Sequence, residues 1–160
     1  MKFKVGFGFD VHQLTDNRDF YLGGIKIPHN KGALGHSDAD ALIHAICDAL
    51  LGASNLGDIG VHFPDTSSEF KNIDSKILLK KVSEMLKEKN FSIENIDVTV
   101  CLQKPKIAIY ITEMKKVISL VMGITDDDIS IKATTTEKLG FVGREEGIAV
   151  YAVALISKKL

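Results

Sequence analysis

The sequence predicts an α/β fold: an α+β sandwich with helices on one face of a mixed β-sheet, and a small N-terminal hairpin beside it. Three observations carry that prediction. Apolar residues alternate with others in Phe3 to Val11, Ile96 to Leu102 and Ile129 to Ala133, the period of half-buried strands. Three more segments repeat apolar residues at helical spacing, and they are interspersed among the strands. Ile148 to Ile156 is apolar throughout, the pattern of a central strand covered on both faces.

Each element has its own justification. Phe3, Val5, Phe7, Phe9 and Val11 form one wholly apolar face of the first strand, predicted to be its core side. Gly6 and Gly8 leave the other face bare just before Asp10 and His12. Asp19 to Pro28 reads as two short strands around Gly23-Gly24, with His29 in a solvated loop. Ser37 to Leu51 is a predicted helix, because Ala39, Leu42, Ile43, Ile46, Cys47 and Leu50 recur at its period, Ser37 can cap it and Gly52 can stop it. Asn55-Leu-Gly-Asp-Ile-Gly60 and His62-Phe-Pro-Asp65 follow as a loop, either a connector or an active-site wall.

Asp74 can cap a second helix reaching about Lys89, whose Ile77, Leu78, Val82, Met85 and Leu86 make a structural stripe. The strand through Ile96 ends by Pro105, and a third helix runs from about Ile109 to Met122 before Gly123. Thr134 to Gly147 then reads as a loop too long and polar to be idle. Gly6-x-Gly8 is no dinucleotide fingerprint, since the third glycine position holds Val11.

Composition bounds the function. At 160 residues, 1–160 is expected to be one domain. A net charge of -1, from 20 basic and 21 acidic residues, argues against a nucleic-acid partner or a polybasic membrane surface. No apolar run approaches the ~20 residues of a membrane span, and Met1 to Val11 reads as a ligand-bearing strand, not a leader, so a cytoplasmic protein is expected. Cys47 and Cys101 show no C-x-x-C spacing and read as core thiols in a reducing compartment.

Asp10-Val11-His12 with His44 supplies the chemistry. Residues two apart on a strand share a face about 7 Å apart, so Asp10 and His12 can grip one ion. His44 lies between Asp40 and Asp48 in one helical stripe, the expected look of a ligand whose neighbouring carboxylates fix its tautomer. Alone, it reads rather as a satisfied histidine on a solvated acidic face, and the Asp10-x-His12 strand reverses that reading. Three protein ligands leave a fourth zinc position for water or substrate, which points to catalysis.

Gly8-Phe-Asp-Val-His12, His36-Ser-Asp38, Leu56-Gly-Asp-Ile-Gly60, Phe63-Pro-Asp65 and Lys132-Ala-Thr-Thr-Thr-Glu-Lys-Leu-Gly140, in this order, resemble the 2-C-methyl-D-erythritol 2,4-cyclodiphosphate synthase family over essentially the whole chain. The resemblance implies a homotrimer with sites between subunits. It implies conversion of 4-diphosphocytidyl-2-C-methyl-D-erythritol 2-phosphate to the cyclic diphosphate and CMP, in the non-mevalonate isoprenoid pathway. No fused cytidylyltransferase is expected ahead of Met1.

The same resemblance assigns residues. Asp10, His12 and His44 would hold zinc (Zn2+), and Glu137 would face a second divalent ion (Mg2+ or Mn2+) on the substrate diphosphate. His36 and Thr135 would align the phosphates, aided by Ser37 and Thr134. Asp58, Ile59, Gly60 and Asp65 would line the methylerythritol pocket, and Leu102, Lys106, Ile107 and Ala108 the cytosine pocket. Phe141 and Arg144 match a trimer-axis cavity that can hold an isoprenoid diphosphate. Read without the resemblance, the threonines are strand residues, Glu137 and Lys138 a turn pair and Asp58 a turn former. His62 is open between packing or capping and substrate contact.

Two other functions share these features. A metal-dependent phosphohydrolase would use the open zinc to activate water and release inorganic phosphate. A non-catalytic isoprenoid-phosphate binder would use Phe141 and Arg144, keep its zinc structural, and form no CMP.

Overall fold

A computed structural model describes residues 1–159. The chain order is β1 (Lys2–Asp16), β2 (Phe20–Leu22), β3 (Ile25–Ile27), β4 (Lys31–Ala33), α1 (Ala41–Ser54), α2 (Ile59–His62), α3 (Ser75–Glu88), β5 (Ser92–Cys101), α4 (Ile111–Met122), β6 (Ile129–Thr134), α5 (Gly140–Gly143) and β7 (Gly147–Lys158). Five strands form one sheet in the order β4-β1-β7-β5-β6. β5 and β6 are parallel and the other pairs antiparallel, so the sheet is mixed as expected. β2 and β3 pair separately as the predicted hairpin.

The three long helices, α1, α3 and α4, lie on one side of that sheet. α1 rests on β1 and β7, and α3 lies against α1 and α4. The core joins Leu42, Ile46 and Leu50 of α1 to Leu79 and Val82 of α3, and to Ile96, Val98 and Val150 of the sheet. None of the described helices is long and apolar enough to cross a membrane.

β1 is inverted relative to expectation. Phe3, Val5, Phe7, Phe9 and Val11 are exposed, between 44% and 67%, and it is the Gly6 and Gly8 face that meets α1. A Cβ built on Gly6 would sit 1.8 Å from the Ala49 carbonyl oxygen, and one on Gly8 1.9 Å from that of Ala45. Missing side chains here let a helix backbone lie directly on the strand. β7 is the middle strand, as its composition predicts, but Tyr151 and Val153 are 40% and 42% exposed beside the uncovered β1 residues. Cys47 is in the core, whereas Cys101 is only half-buried, on the face opposite Val98 and Val100.

Helix boundaries also shift. Ala39 adopts φ 57°, which excludes a helix running through it, so α1 starts at Ala41 with Asp40, not Ser37, as its cap. Gly52 lies inside the last turn, and left-handed Asn55 (φ 59°) ends the helix. α3 is capped by Asp74 as expected, with its side chain accepting from Lys76 N–H at 2.9 Å. α4 begins after a single tight turn at Ala108–Tyr110 and ends at Gly123. The strand β4 and the short helices α2 and α5, each three or four residues, have no readable period.

Candidate metal centre and cleft

Asp10 and His12 fall on the same face of β1 as Gly6 and Gly8, so they point toward α1 and meet His44 from it. His12 Nε2 lies 2.9 Å from Asp10 Oδ2, His44 Nδ1 lies 3.2 Å from the same oxygen, and the two nitrogens are 3.3 Å apart. Among the described residues this is the one group of three such side chains whose ligand atoms all lie within 4.8 Å of one another. Two nitrogens and one carboxylate oxygen are donors that can hold a divalent metal ion.

The electrostatics favour a cation there. Burial pushes the Asp10 pKa up, but the hydrogen bonds to His12 and His44 and the charges of both rings together outweigh it and hold the carboxyl below its ordinary value. Burial lowers that of His12, but the bond to Asp10, the charge of Asp10 and the bond to the Leu34 carbonyl together more than reverse the effect. The cluster draws positive charge to itself.

Outer contacts orient both rings. His12 Nδ1 donates to the Leu34 carbonyl at 2.9 Å, leaving Nε2 for the cluster. His44 Nε2 faces Ser75 Oγ at 2.9 Å and Ser37 Oγ at 3.2 Å. The expected carboxylate partners of His44 are engaged elsewhere. Buried Asp40 accepts from Gly23 N at 2.9 Å, Gly24 N at 2.7 Å and Ile43 N at 3.0 Å, and burial followed by the charge of Asp38 raises its pKa. Asp48 accepts from Ile59 N at 2.7 Å, with its pKa raised by burial. Both carboxylates tie neighbouring segments, the hairpin and α2, to α1.

Beside the cluster is a cleft of about 390 Å³ whose walls include His12, His36, Ser37, His44, Gly60 and Asp65. Ile59 also lines it, whereas exposed Asp58 caps α2 by accepting from Val61 N at 3.1 Å. His36 Nε2 lies 3.0 Å from the Ser67 carbonyl. His62 Nε2 lies 2.7 Å from the Leu56 carbonyl, which gives it a loop-holding contact.

A second group lies elsewhere. Leu102 N donates to the Thr134 carbonyl at 3.0 Å, joining the Leu102–Ala108 segment to the end of β6. Leu102 and Ile107 are buried, Lys106 and Ala108 exposed. Thr135 Oγ1 contacts Glu137 Oε1 at 3.4 Å and accepts from Glu137 N at 3.3 Å, in a turn where Glu137 and Lys138 are left-handed at φ 54° and 64°. Val11 pairs with Ala149, Ala149 with Cys101 and Cys101 with Thr134. Three strand spacings separate the groups by roughly 14 Å. One chain does not bring them together.

Phe141 covers Gly147 and borders a cleft with Val11, His12 and Gln13. Arg144 donates from Nε to Glu146 Oε1 at 2.9 Å and from a terminal nitrogen to Oε2 at 3.2 Å. Sequence reasoning named neither Glu146 nor Ser75. Ser75 follows a cap residue at a helix start and carries no ligand-like signal of its own.

The YgbB family model matches residues 3–157. A 2-C-methyl-D-erythritol 2,4-cyclodiphosphate synthase of Bacteroides fragilis is 64% identical over 158 residues, covering 99% of each chain. The bifunctional IspDF structure from Campylobacter jejuni aligns with TM-score 0.95 and 42% identity over 99% of this chain, which spans 43% of that longer one. The Plasmodium falciparum IspF structure, a CDP complex, aligns with TM-score 0.87 and 35% identity, covering 99% of this chain and 97% of that one.

Proposed function

The chain belongs to the YgbB family, and from that membership we propose that it is a metal-dependent 2-C-methyl-D-erythritol 2,4-cyclodiphosphate synthase of the non-mevalonate isoprenoid pathway. The observation that carries this reading is the open cluster of Asp10, His12 and His44 beside the cleft that holds His36 and Ser37.

The reaction is a cyclisation. An oxygen of the substrate's 2-phosphate forms a bond to the β-phosphorus, the bond from that phosphorus to the bridging oxygen breaks, and CMP leaves with the electron pair. The attacking phosphate is already anionic near neutral pH, so no protein base is required and positioning carries the rate. Asp10, His12 and His44 would hold zinc and Glu137 would face magnesium or manganese; when bound, these ions would supply Lewis acidity and offset charge on the diphosphate.

The chain's own residues bind and align. His36, Ser37, Thr134 and Thr135 direct donors at phosphate oxygens, the hydroxyls doing so without adding charge. Asp58, Ile59, Gly60 and Asp65 hold the methylerythritol end. Leu102, Lys106, Ile107 and Ala108 take the cytidine, in keeping with the CDP held by the Plasmodium relative.

Residues 1–160 then act as one synthase domain, assembled as a cytoplasmic homotrimer. Two features support assembly: the roughly 14 Å between metal half and threonine half, and the apolar β1 and β7 face that the long helices leave uncovered. In the trimer each site takes Asp10, His12 and His44 from one subunit and Thr135 and Glu137 from its neighbour. Phe141 and Arg144 face the axis, where an isoprenoid diphosphate must displace Glu146 from the guanidinium.

The test is phosphorus NMR of the purified protein with the cytidyl substrate, zinc and magnesium. The cyclic diphosphate and CMP are expected. Inorganic phosphate would instead identify a hydrolase, and an inert mixture that binds isoprenoid diphosphate would identify a binding protein.

A further inference from the structure

Two segments far apart in the chain, one bringing a carboxylate and the other a hydroxyl, meet behind His44, on the side away from the metal cluster. Asp38 precedes α1, and Ser75 is the first residue of α3, fully buried. Asp38 Oδ2 accepts from Ser75 N–H at 3.0 Å, and Oδ1 accepts from Asp40 N–H at 3.2 Å. Oδ1 also accepts a hydrogen bond from the Ser75 hydroxyl. Ser75 Oγ in turn lies 2.9 Å from His44 Nε2.

The direction of each bond in this chain is determined. Amides only donate and a carboxylate only accepts, so the single Ser75 hydroxyl proton is committed to Asp38. Toward His44 the same oxygen can therefore only accept. Nε2 must carry the ring proton, and the bare lone pair falls on Nδ1, the nitrogen 3.2 Å from Asp10 Oδ2. Ser37 Oγ, 3.2 Å from Nε2, imposes no such choice, because it accepts from Ala39 N–H at 3.1 Å while its own proton is free to point either way.

We infer that Asp38 and Ser75 form a positioning relay that locks His44 in the Nε2–H tautomer and so presents Nδ1 to the metal. The inference rests on the reading of His44 as a zinc ligand. It explains why the helix carrying His44 needs no carboxylate of its own beside the ring: the negative charge reaches His44 from Asp38 through a hydroxyl of α3. Neither Asp38 nor Ser75 touches the metal, and both act through His44.

Zinc affinity of the full-length protein, measured by competition with a chelator, tests the relay together with the ring nitrogen spectrum of His44. Asp38→Asn can donate to Ser75 Oγ, freeing the hydroxyl proton to turn toward Nε2 and push the ring proton onto Nδ1. Zinc binding should weaken about tenfold or more in Asp38→Asn and in Ser75→Ala, the range for losing an outer partner of a metal ligand. The wild-type ring, after zinc is stripped at mildly alkaline pH, should show the Nε2–H form, and Asp38→Asn a mixture or the Nδ1–H form. Zinc affinity within twofold of wild type in both folded variants would overturn the relay. So would an Nδ1–H ring in the wild-type protein, a measurement that stands even where a variant fails to fold. A His44→Ala control separates the two readings: if it loses zinc while the relay variants keep it, only the relay fails, whereas zinc retained by His44→Ala removes the ligand assignment beneath it.

Discussion

Asp40 shows how far a single residue's role can lie from what its position suggests. Its place four residues before His44 puts it on the same helical stripe, yet its oxygens are spent on the amides of Gly23, Gly24 and Ile43. Asp40→Ala leaves these three donors without an acceptor, and each unmet buried amide costs about 1–3 kcal/mol. We expect urea unfolding to show a loss of roughly 3 kcal/mol or more, with the β2–β3 hairpin losing amide protection first. Glu137 is the opposite case, an exposed carboxylate with little structural work. Glu137→Gln should keep zinc and stability but lose most cyclisation, and added magnesium should restore part of it; an unchanged magnesium dependence would remove Glu137 from the mechanism. Asp10 and His12 were legible because two residues on one strand carry their geometry with them. The partners of His44 were not, since they arrive from α3.

Between elements, the contact of α1 with β1 sets the metal site. Gly6 and Gly8 let the helix backbone approach until His44 comes within reach of Asp10. A Cβ at Gly8 would meet the Ala45 backbone next to His44, and backbone cannot swing aside as a side chain does. Gly8→Ala should destabilise by about 3 kcal/mol or more and lower zinc occupancy at the same time. Gly52 is the control within the same helix: nothing lies within 4 Å of a Cβ built there, and its φ is not left-handed. Gly52→Ala should raise stability by roughly 0.5–1 kcal/mol, read as a higher unfolding midpoint. The alternation in β1 identified a strand but not which face is inside, because a two-residue period is the same for either choice.

For the whole molecule, the sheet divides the site. The metal ligands and the Thr135–Glu137 turn sit three strands apart, so the proposed site, if it uses both groups, takes them from two chains. His12→Ala and Thr135→Val homotrimers should each be nearly inactive, because every site carries the same lesion. Co-expressed or co-refolded together, they create interfaces with both halves intact, and activity should return. Persistent inactivity in verified mixed trimers, with each parent folded, would favour a site within one chain. The exposed row Phe3, Val5, Phe7 and Phe9 predicts the same assembly from a different direction. Phe7→Glu should shift sedimentation toward the monomer and take activity with it.

Local order was the province of the sequence. The strand and helix periods, the Asp74 cap, the Gly123 stop and the Asp10-x-His12 pair all depend on neighbours a few residues away, so they can be read from spacing. Tertiary structure decided which side of β1 is buried, where Asp40 and Asp48 spend their oxygens, and how Ser75 comes to stand behind His44. Those outcomes depend on pairings such as Gly6 with Ala154 and His44 with Ser75, between segments remote in the chain. No periodicity within one element encodes its partner, because the free energy that selects the partner is released only when the two surfaces meet.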